Sequence, residues 1–226
     1  MRFGKSKKDK YVYVSIAGLL GSGKTTAANL LADKLGFYPF EEKVNENKFL
    51  PLFYQDPQRW AFHSQLFYVR EKASQLVKIK KIINETHVVQ DSPVYQDYLT
   101  YAKAQQILGN MNEDEFALYE KFFHVLNRDL PVPDLIIQLN ASVPSIMERI
   151  KLRARDYEKK IDSKYVELLM RLQNEWIAKN PKLNIVSIDT NAVDIAHNPK
   201  HQAEFIKVVK AHLANLKEEP RLRFKF

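Results

Sequence analysis

Cysteine is missing from the 226 residues of this chain, so disulfides and thiolate metal sites are excluded. Long hydrophobic runs are missing too: the longest is about ten residues, too short to span a bilayer, so no membrane partner is expected. Glycine is scarce, and three of the six glycines lie between positions 18 and 23. An ordinary balance of charged and hydrophobic residues excludes a disordered or fibrous chain. We therefore expect a globular protein, and the lack of cysteine fits the reducing cytoplasm.

The net charge of +8 is concentrated at the chain ends and in one internal stretch. Residues 1–10 carry +4, residues 217–226 carry +2 and residues 147–160 carry +3, while the rest of the chain sums to −1. A nucleic-acid groove needs basic residues on one ordered face, so no nucleic-acid partner is expected. We expect a basic N-terminal tail over 1–10, one domain over 11–217 and a basic C-terminal tail over 218–226.

Short apolar segments alternate with helical patterns along the chain. The pattern predicts strands at 11–17, 37–42, 87–90, 133–139 and 184–189. It predicts helices at 25–36, from Pro57 to about Ile83, at 94–108, from an Asn112 cap onward, at 144–155, at 163–178 and at 199–217, with a loop before Pro57. This alternation predicts an α/β fold with a mostly parallel sheet, whose ligands bind at the carboxyl ends of the strands.

A phosphate-binding motif follows the first predicted strand. Residues 18–25, GLLGSGKT, match G-x-x-x-x-G-K-[ST] in full, between a strand and a helix. Glycines let backbone N–H groups turn inward onto phosphate oxygens, and a helix N-terminus attracts the anion. Lys24 is expected to reach the terminal phosphates, and Thr25 a Mg²⁺ ion. The loop residues predicted to bind a nucleoside triphosphate are Gly18, Gly21, Ser22, Gly23, Lys24, Thr25 and Thr26.

Further segments resemble those of the deoxynucleoside kinase family, in the same order along the chain. The most specific are FYQDPQRWAFHSQ (53–65) and PDLIIQLNASVPSIMERIKLRARDYE (133–158), with looser matches in EEKVNEN (41–47) and QDSPVYQD (90–97). The resemblance covers about Tyr11 to Asp194. It implies a three-layer P-loop kinase fold, with a five-stranded parallel sheet and a short arginine-rich lid. It also implies a homodimer that uses ATP and Mg²⁺ to phosphorylate a deoxynucleoside 5′-hydroxyl in nucleotide salvage.

The same resemblance implies the catalytic groups. Glu42 falls on the family's catalytic glutamate, with Glu41 as the alternative if the register shifts by one. Arg155 of the lid is expected to neutralise charge on the transferred phosphoryl, together with Lys24. Asp91 is expected to hold Mg²⁺ through water, beside Thr25. Arg153 of the lid is a further implied ATP contact, and Asp189 is expected to be another because it directly follows the last predicted strand, at the edge of the sheet where ligands bind.

The acceptor site is likewise implied by the resemblance. Gln65 matches a glutamine that reads the base through its amide, which can donate and accept at once. Tyr54 and Glu158 match a pair that contacts the sugar 3′-hydroxyl. Asp97 matches a position that is acidic in purine- and deoxycytidine-directed members, and Lys72 stands where some relatives carry a base-reading arginine. With an aromatic residue that stacks on the base, the predicted set is Tyr54, Gln65, Lys72, Asp97, Tyr101 and Glu158.

One departure from the family leaves alternatives open. Ser92 follows Asp91 where the family has an arginine near the phosphates, so a catalytically weak nucleotide-binding member is one alternative. A nucleoside-monophosphate kinase, which shares the phosphate loop and lid, is another. A hydroxyl acceptor needs a base whereas an ionised phosphate does not, so Glu42 favours a deoxynucleoside. Asp97 favours a purine, deoxyadenosine or deoxyguanosine, with deoxycytidine as a further acceptor.

Overall fold

A computed structural model describes residues 11–191 and 193–216. The expected tails at 1–10 and 218–226 lie outside these residues. Within the described chain, five parallel strands form one sheet in the order β2-β3-β1-β4-β5. The strands are Tyr13–Ala17 (β1), Tyr38–Phe40 (β2), Val88–Asp91 (β3), Leu135–Asn140 (β4) and Ile185–Asp189 (β5). The five-stranded parallel sheet is therefore confirmed.

Helices cover both faces of this sheet. They are Lys24–Leu35 (α1), Leu50–Gln55 (α2), Pro57–Ile82 (α3), Val94–Gln96 (α4), Lys103–Ile107 (α5), Glu113–Asn127 (α6), Val143–Arg153 (α7), Ser163–Lys179 (α8) and Pro199–Ala214 (α9). Side chains of α3 and α6 pack on one face of the sheet, around Tyr13 and Val88. Side chains of α1 and α9 pack on the other face, around Val14 and Val89. Successive strand residues point to opposite faces, so both faces are buried and three layers result.

Local sequence explains where several helices begin and end. Asn112 accepts a hydrogen bond from the Glu115 backbone N–H at 2.9 Å, and Glu115 accepts one from the Asn112 N–H at 3.0 Å. This reciprocal capping box starts α6, as the sequence predicts. Asp56 likewise caps α3 through the Arg59 N–H. Helix α1 ends at Gly36, whose φ of 72° suits glycine.

Two segments differ from the prediction. The loop predicted before Pro57 was wrong in part, because it contains a 3₁₀ turn (Val44–Glu46) and helix α2. Burial of Phe53 against the core stabilises α2, although the preceding asparagines and glutamates favour a loop. The helix predicted over 94–108 is interrupted by a π-helical segment, Asp97–Ala102, between α4 and α5. Such segments re-aim side chains and are frequent at functional sites.

Candidate active site

A cavity of about 460 Å³ opens at the carboxyl ends of the central strands. The phosphate loop, the segment after β2, helix α3, the π-helical segment and the lid all contribute to its lining. The structure thus brings together most residues predicted from the sequence. Those in the lining are Gly21, Gly23, Lys24, Thr25, Thr26, Glu42, Tyr54, Gln65, Asp91, Asp97, Tyr101, Arg153, Arg155 and Glu158.

Four predicted residues lie outside the lining. Gly18 and Ser22 belong to the phosphate loop but do not line the cavity, and the Ser22 side chain is buried. Lys72 is buried behind the cavity, with 1% of its surface exposed. Asp189 ends β5 on the surface, where its Oδ1 accepts hydrogen bonds from the backbone and side chain of Asn191. The structure therefore separates these four from the residues that line the cavity.

The phosphate loop depends on backbone shape. Gly18 has a φ of 150°, and a Cβ at this position would lie 2.4 Å from Ser22 Oγ and 2.9 Å from the Leu139 carbonyl oxygen. No other residue type fits there without displacing backbone. The side chain of Gln96 fixes the same residue, because its Oε1 accepts from the Gly18 N–H and its Nε2 donates to the Gly18 carbonyl, both at 2.9 Å. The loop is thus held in shape by contacts from a distant segment.

Thr25 at the start of α1 and Asp91 at the end of β3 form a hydrogen-bonded pair. The Thr25 hydroxyl donates to Asp91 Oδ2 at 2.6 Å, while Asp91 Oδ1 is buried with no hydrogen-bond partner in the described chain. Burial raises the pKa of Asp91, and the nearby Lys24 ammonium opposes that shift. Among the described residues, no group of three or more histidine or acidic side chains has an arrangement that could hold a metal ion by itself. A hydroxyl and one carboxylate fit Mg²⁺, which takes few protein ligands and completes its shell with phosphates and water.

Glu42 lies beside this pair, on the loop that follows β2. Its Oε1 is 3.6 Å from the Lys72 ammonium and 3.5 Å from the Ser92 hydroxyl, which donates to it. Lys72 also donates to the Asp91 carbonyl oxygen at 2.5 Å. Glu42 reaches the cavity while its neighbour Glu41 is exposed and lies outside the lining. The geometry therefore favours Glu42 over Glu41 as the match to the family's catalytic glutamate.

Two further groups in the cavity lining have a buried oxygen atom without a hydrogen-bond partner among the described residues. Gln65 Oε1 and Asp97 Oδ2 make no hydrogen bond to any part of the chain that the structure describes. Burial raises the pKa of Asp97 to about 7, although the Lys72 ammonium lowers it. Buried polar atoms in proteins are nearly always paired, so these two are suited to a polar ligand. Asp97 and Tyr101 both belong to the π-helical segment, and the Tyr101 hydroxyl accepts from the Leu20 N–H at 3.0 Å.

The lid closes the site with paired charges. It consists of the C-terminal end of α7 and a 3₁₀ turn over Asp156–Lys160. Arg153 Nη2 lies 2.7 Å from both carboxylate oxygens of Glu158, and Arg155 Nη1 is 3.5 Å from Oε1. Tyr157 of the turn stacks on Tyr54, with ring centroids 5.6 Å apart. The predicted ATP-side arginines and the predicted sugar contact are thus in direct contact.

Sequence reasoning missed several residues that line or shape the cavity. Tyr68 lies three residues after Gln65, one turn along α3, so helical spacing could have indicated it. Tyr165 lies in the first turn of α8, and burial raises its pKa to about 12. Gln96 gave no sequence signal, because its contact with Gly18 spans 78 residues. The two tyrosines add apolar and hydroxyl surface to the cavity.

Comparisons with known proteins agree with this geometry. The family model for deoxynucleoside kinase matches residues 14–214. A deoxyguanosine kinase of Bacillus subtilis (strain 168) is 30% identical over 208 residues, covering 90% of this chain and 97% of the relative. A deoxyadenosine/deoxycytidine kinase of the same bacterium is 32% identical over 169 residues, covering 73% and 76%. A solved structure is also similar to this chain: deoxyadenosine kinase from M. mycoides with products dCMP and a flexible dCDP bound. The match has a TM-score of 0.77 at 24% identity and covers 88% of this chain and 99% of that one. This likeness confirms the fold.

Proposed function

The chain belongs to the deoxynucleoside kinase family and is an enzyme that phosphorylates deoxynucleosides, and from this premise we propose its mechanism and preferences. The proposed reaction transfers the γ-phosphate of Mg²⁺-ATP to the 5′-hydroxyl of a purine deoxynucleoside, with deoxycytidine as a further acceptor. The observation that carries it is one cavity whose lining combines the phosphate-loop residues Lys24 and Thr25 with Glu42, Gln65 and Asp97.

The phosphate side supplies positioning and positive charge. Backbone N–H groups of the loop and the N-terminus of α1 face the phosphates, and Lys24 adds its ammonium. Thr25 and Asp91 would hold Mg²⁺, which when bound neutralises charge on the phosphate oxygens. Arg155, which lines the cavity from the lid, balances the charge that develops on the transferred group.

The acceptor side supplies the base and the recognition groups. Glu42 accepts the proton of the 5′-hydroxyl as its oxygen attacks phosphorus, which is the role of a general base. Gln65 and Asp97 each present a buried oxygen without a partner, and these atoms can accept hydrogen bonds from N–H groups of a base. Tyr54 and Glu158 contact the 3′-hydroxyl. The names of the bacterial relatives, which act on deoxyguanosine, deoxyadenosine and deoxycytidine, support this acceptor range.

The proposed assembly is a homodimer that works in the cytoplasm. Support comes from helix α6, where Leu118, Phe122 and Val125 recur at helical spacing and are 45%, 40% and 65% exposed. A second copy of the chain would cover this apolar stripe. Phe122→Lys should convert a dimer to a monomer in sedimentation, whereas a wild-type chain that sediments as a monomer would rule out the assembly. No described helix is long and apolar enough to cross a membrane.

The test of the reaction is ADP release from Mg²⁺-ATP with each of four deoxynucleosides and with deoxyadenosine monophosphate. Deoxyadenosine or deoxyguanosine should give the highest kcat/KM, with Lys24→Ala as the inactive control. Turnover of every deoxynucleoside at the level of that control would show a catalytically weak family member. Preferred turnover of the monophosphate would show a nucleoside-monophosphate kinase instead.

A further inference from the structure

Lys72 is an unusual cation in this structure. Among the described lysines and arginines it alone is fully buried, with 1% of its surface exposed. Removing an ammonium group from water costs several kcal/mol unless opposite charge and hydrogen bonds replace the water. Here the Nζ donates to the Asp91 carbonyl oxygen at 2.5 Å and lies 3.6 Å from Glu42 Oε1. The buried ammonium is therefore held between β3 and the loop that carries Glu42.

The position of Lys72 does not suit contact with a base. It lies on α3 two turns after Gln65, which lines the cavity, but Lys72 itself is absent from the lining. Its ammonium group lies between the Asp91 carbonyl oxygen and the carboxylate of Glu42. Any effect of Lys72 on the reaction must therefore pass through the groups that it contacts.

Few contacts hold the side chain of Glu42 in place. Its side chain is 22% exposed, and it follows a strand of three residues at the sheet edge. In the part of the chain described, its close polar contacts are Lys72 and the Ser92 hydroxyl at 3.5 Å. A neutral hydroxyl at that distance holds a carboxylate weakly, whereas a buried ammonium holds it strongly. Loss of Lys72 would therefore let the carboxylate turn away from the cavity.

We infer that Lys72 is a positioning residue, whose buried ammonium fixes the carboxylate of Glu42 toward the acceptor hydroxyl. The inference rests on the proposed role of Glu42 as the base. It also explains how Glu42 can be held although position 92 carries a serine and not an arginine. The hydroxyl at position 92 supplies no positive charge to Glu42, and Lys72 supplies that charge from α3 instead.

The experiment compares Lys72→Met with Lys78→Met, which removes an exposed lysine from the same helix. Lys72→Met should lower kcat by about 10- to 100-fold while KM for the deoxynucleoside changes by less than about threefold. Lys78→Met should leave both constants unchanged. Adding Ser92→Arg to Lys72→Met should recover kcat by at least about fivefold, because a guanidinium then stands next to Glu42.

Several results would overturn the inference. A Lys72→Met enzyme with wild-type kcat would do so, as would one in which KM alone rises, because that pattern indicates contact with the acceptor. Failure of recovery in Lys72→Met/Ser92→Arg would do the same. A wild-type chain without turnover would instead count against the proposed function, so the two failures are distinguishable.

A second variant decides the matter if Lys72→Met does not fold. Glu42→Gln/Lys72→Met removes both charges of the pair and leaves no carboxylate facing an absent ammonium. Neutralising both partners is tolerated far better than removing one. Recovery of cooperative unfolding in this double variant, followed by circular dichroism in urea, would support the pairing, and a double variant that stays unfolded would overturn it.

Discussion

The two sides of the cavity are built in different ways. The phosphate side is built around one continuous segment, residues 18–26, whose shape depends on glycines and on backbone N–H groups, and Asp91 and Arg155 join it from elsewhere in the chain. The acceptor side gathers Glu42, Gln65 and Asp97 from three separate segments, with Lys72 buried behind them. The phosphate side should therefore be sensitive to changes of backbone shape. The acceptor side should be sensitive to changes of charge.

The largest expected effect comes from the charge on the acceptor side. Glu42→Gln keeps the size of the side chain and removes the base, so kcat should fall by about 1,000-fold with little change in KM for ATP. The matched control is Glu41→Gln, which alters the exposed neighbour and should keep wild-type kcat. Steady-state kinetics of both variants decides between the two registers, and a larger loss in Glu41→Gln would reverse the assignment.

A change of backbone shape on the phosphate side should come next. Gly18→Ala places a Cβ 2.9 Å from the Leu139 carbonyl oxygen, so kcat/KM for ATP should fall by about 100-fold and stability by roughly 2 to 4 kcal/mol. Gly109→Ala is the control, because its φ is 70° and no atom lies within 4 Å of the new Cβ. It should keep full activity. Equal losses in the two variants would mean that crowding at Gly18 is unimportant.

The pH dependence of stability should show the buried charge at Asp97. Its pKa is raised from the usual 3.8 to about 7, so the folded state holds the proton more tightly than the unfolded chain does. The contribution of the protonated Asp97 to the free energy of unfolding is fully present below pH 3.8 and is lost as the pH rises through about 7. The free energy of unfolding of Asp97→Asn, relative to that of the wild type, should therefore be about 1 to 3 kcal/mol more favourable to folding at pH 8 than at pH 5.

Urea unfolding at the two pH values measures this difference, with the exposed Asp33→Asn as the control. Asp33→Asn should show the same pH dependence as the wild type. An Asp97→Asn variant that follows the wild type at both pH values would show that Asp97 is ionised throughout.

The smallest expected effect concerns the connection between the two sides. Gln96, which fixes Gly18, immediately precedes Asp97 of the acceptor side. Gln96→Leu removes both hydrogen bonds to Gly18, so KM for ATP should rise by about fivefold while KM for the acceptor changes less. Gln106→Leu is the control and should keep both constants. An equal rise of both KM values would show that the sides are not separable.

Local sequence predicted the phosphate loop together with the strand and helix that flank it. The motif at 18–25, the strand before it and the helix after it are contiguous, and each residue type has its own physical reason. The sheet was predictable for a similar reason, because buried parallel strands such as VVQD and LIIQLN are short continuous runs. Gln96 could not be found this way, since its role depends on which strands are neighbours.

The acceptor side was predicted through family resemblance, which gives residues but not their contacts. Gln65, Asp97 and Glu42 line the cavity as expected. Lys72 does not, because a lysine seven residues after Gln65 can turn toward either the cavity or β3, and only tertiary packing selects β3. The π-helical segment was missed because its backbone hydrogen bonds span one residue more than those of an α-helix, which no local pattern indicates.

The order of the strands in the sheet also has a consequence for synthesis of the chain. β1 is the central strand, and its contacts with β3 and with the segment that begins β4 span 75 and 121 residues. At the usual rate of translation, β4 is completed about 6 to 25 seconds after β1. During that interval β1 lacks a neighbouring strand that buries it in the finished sheet, and the edge of the sheet from which the phosphate loop extends is incomplete.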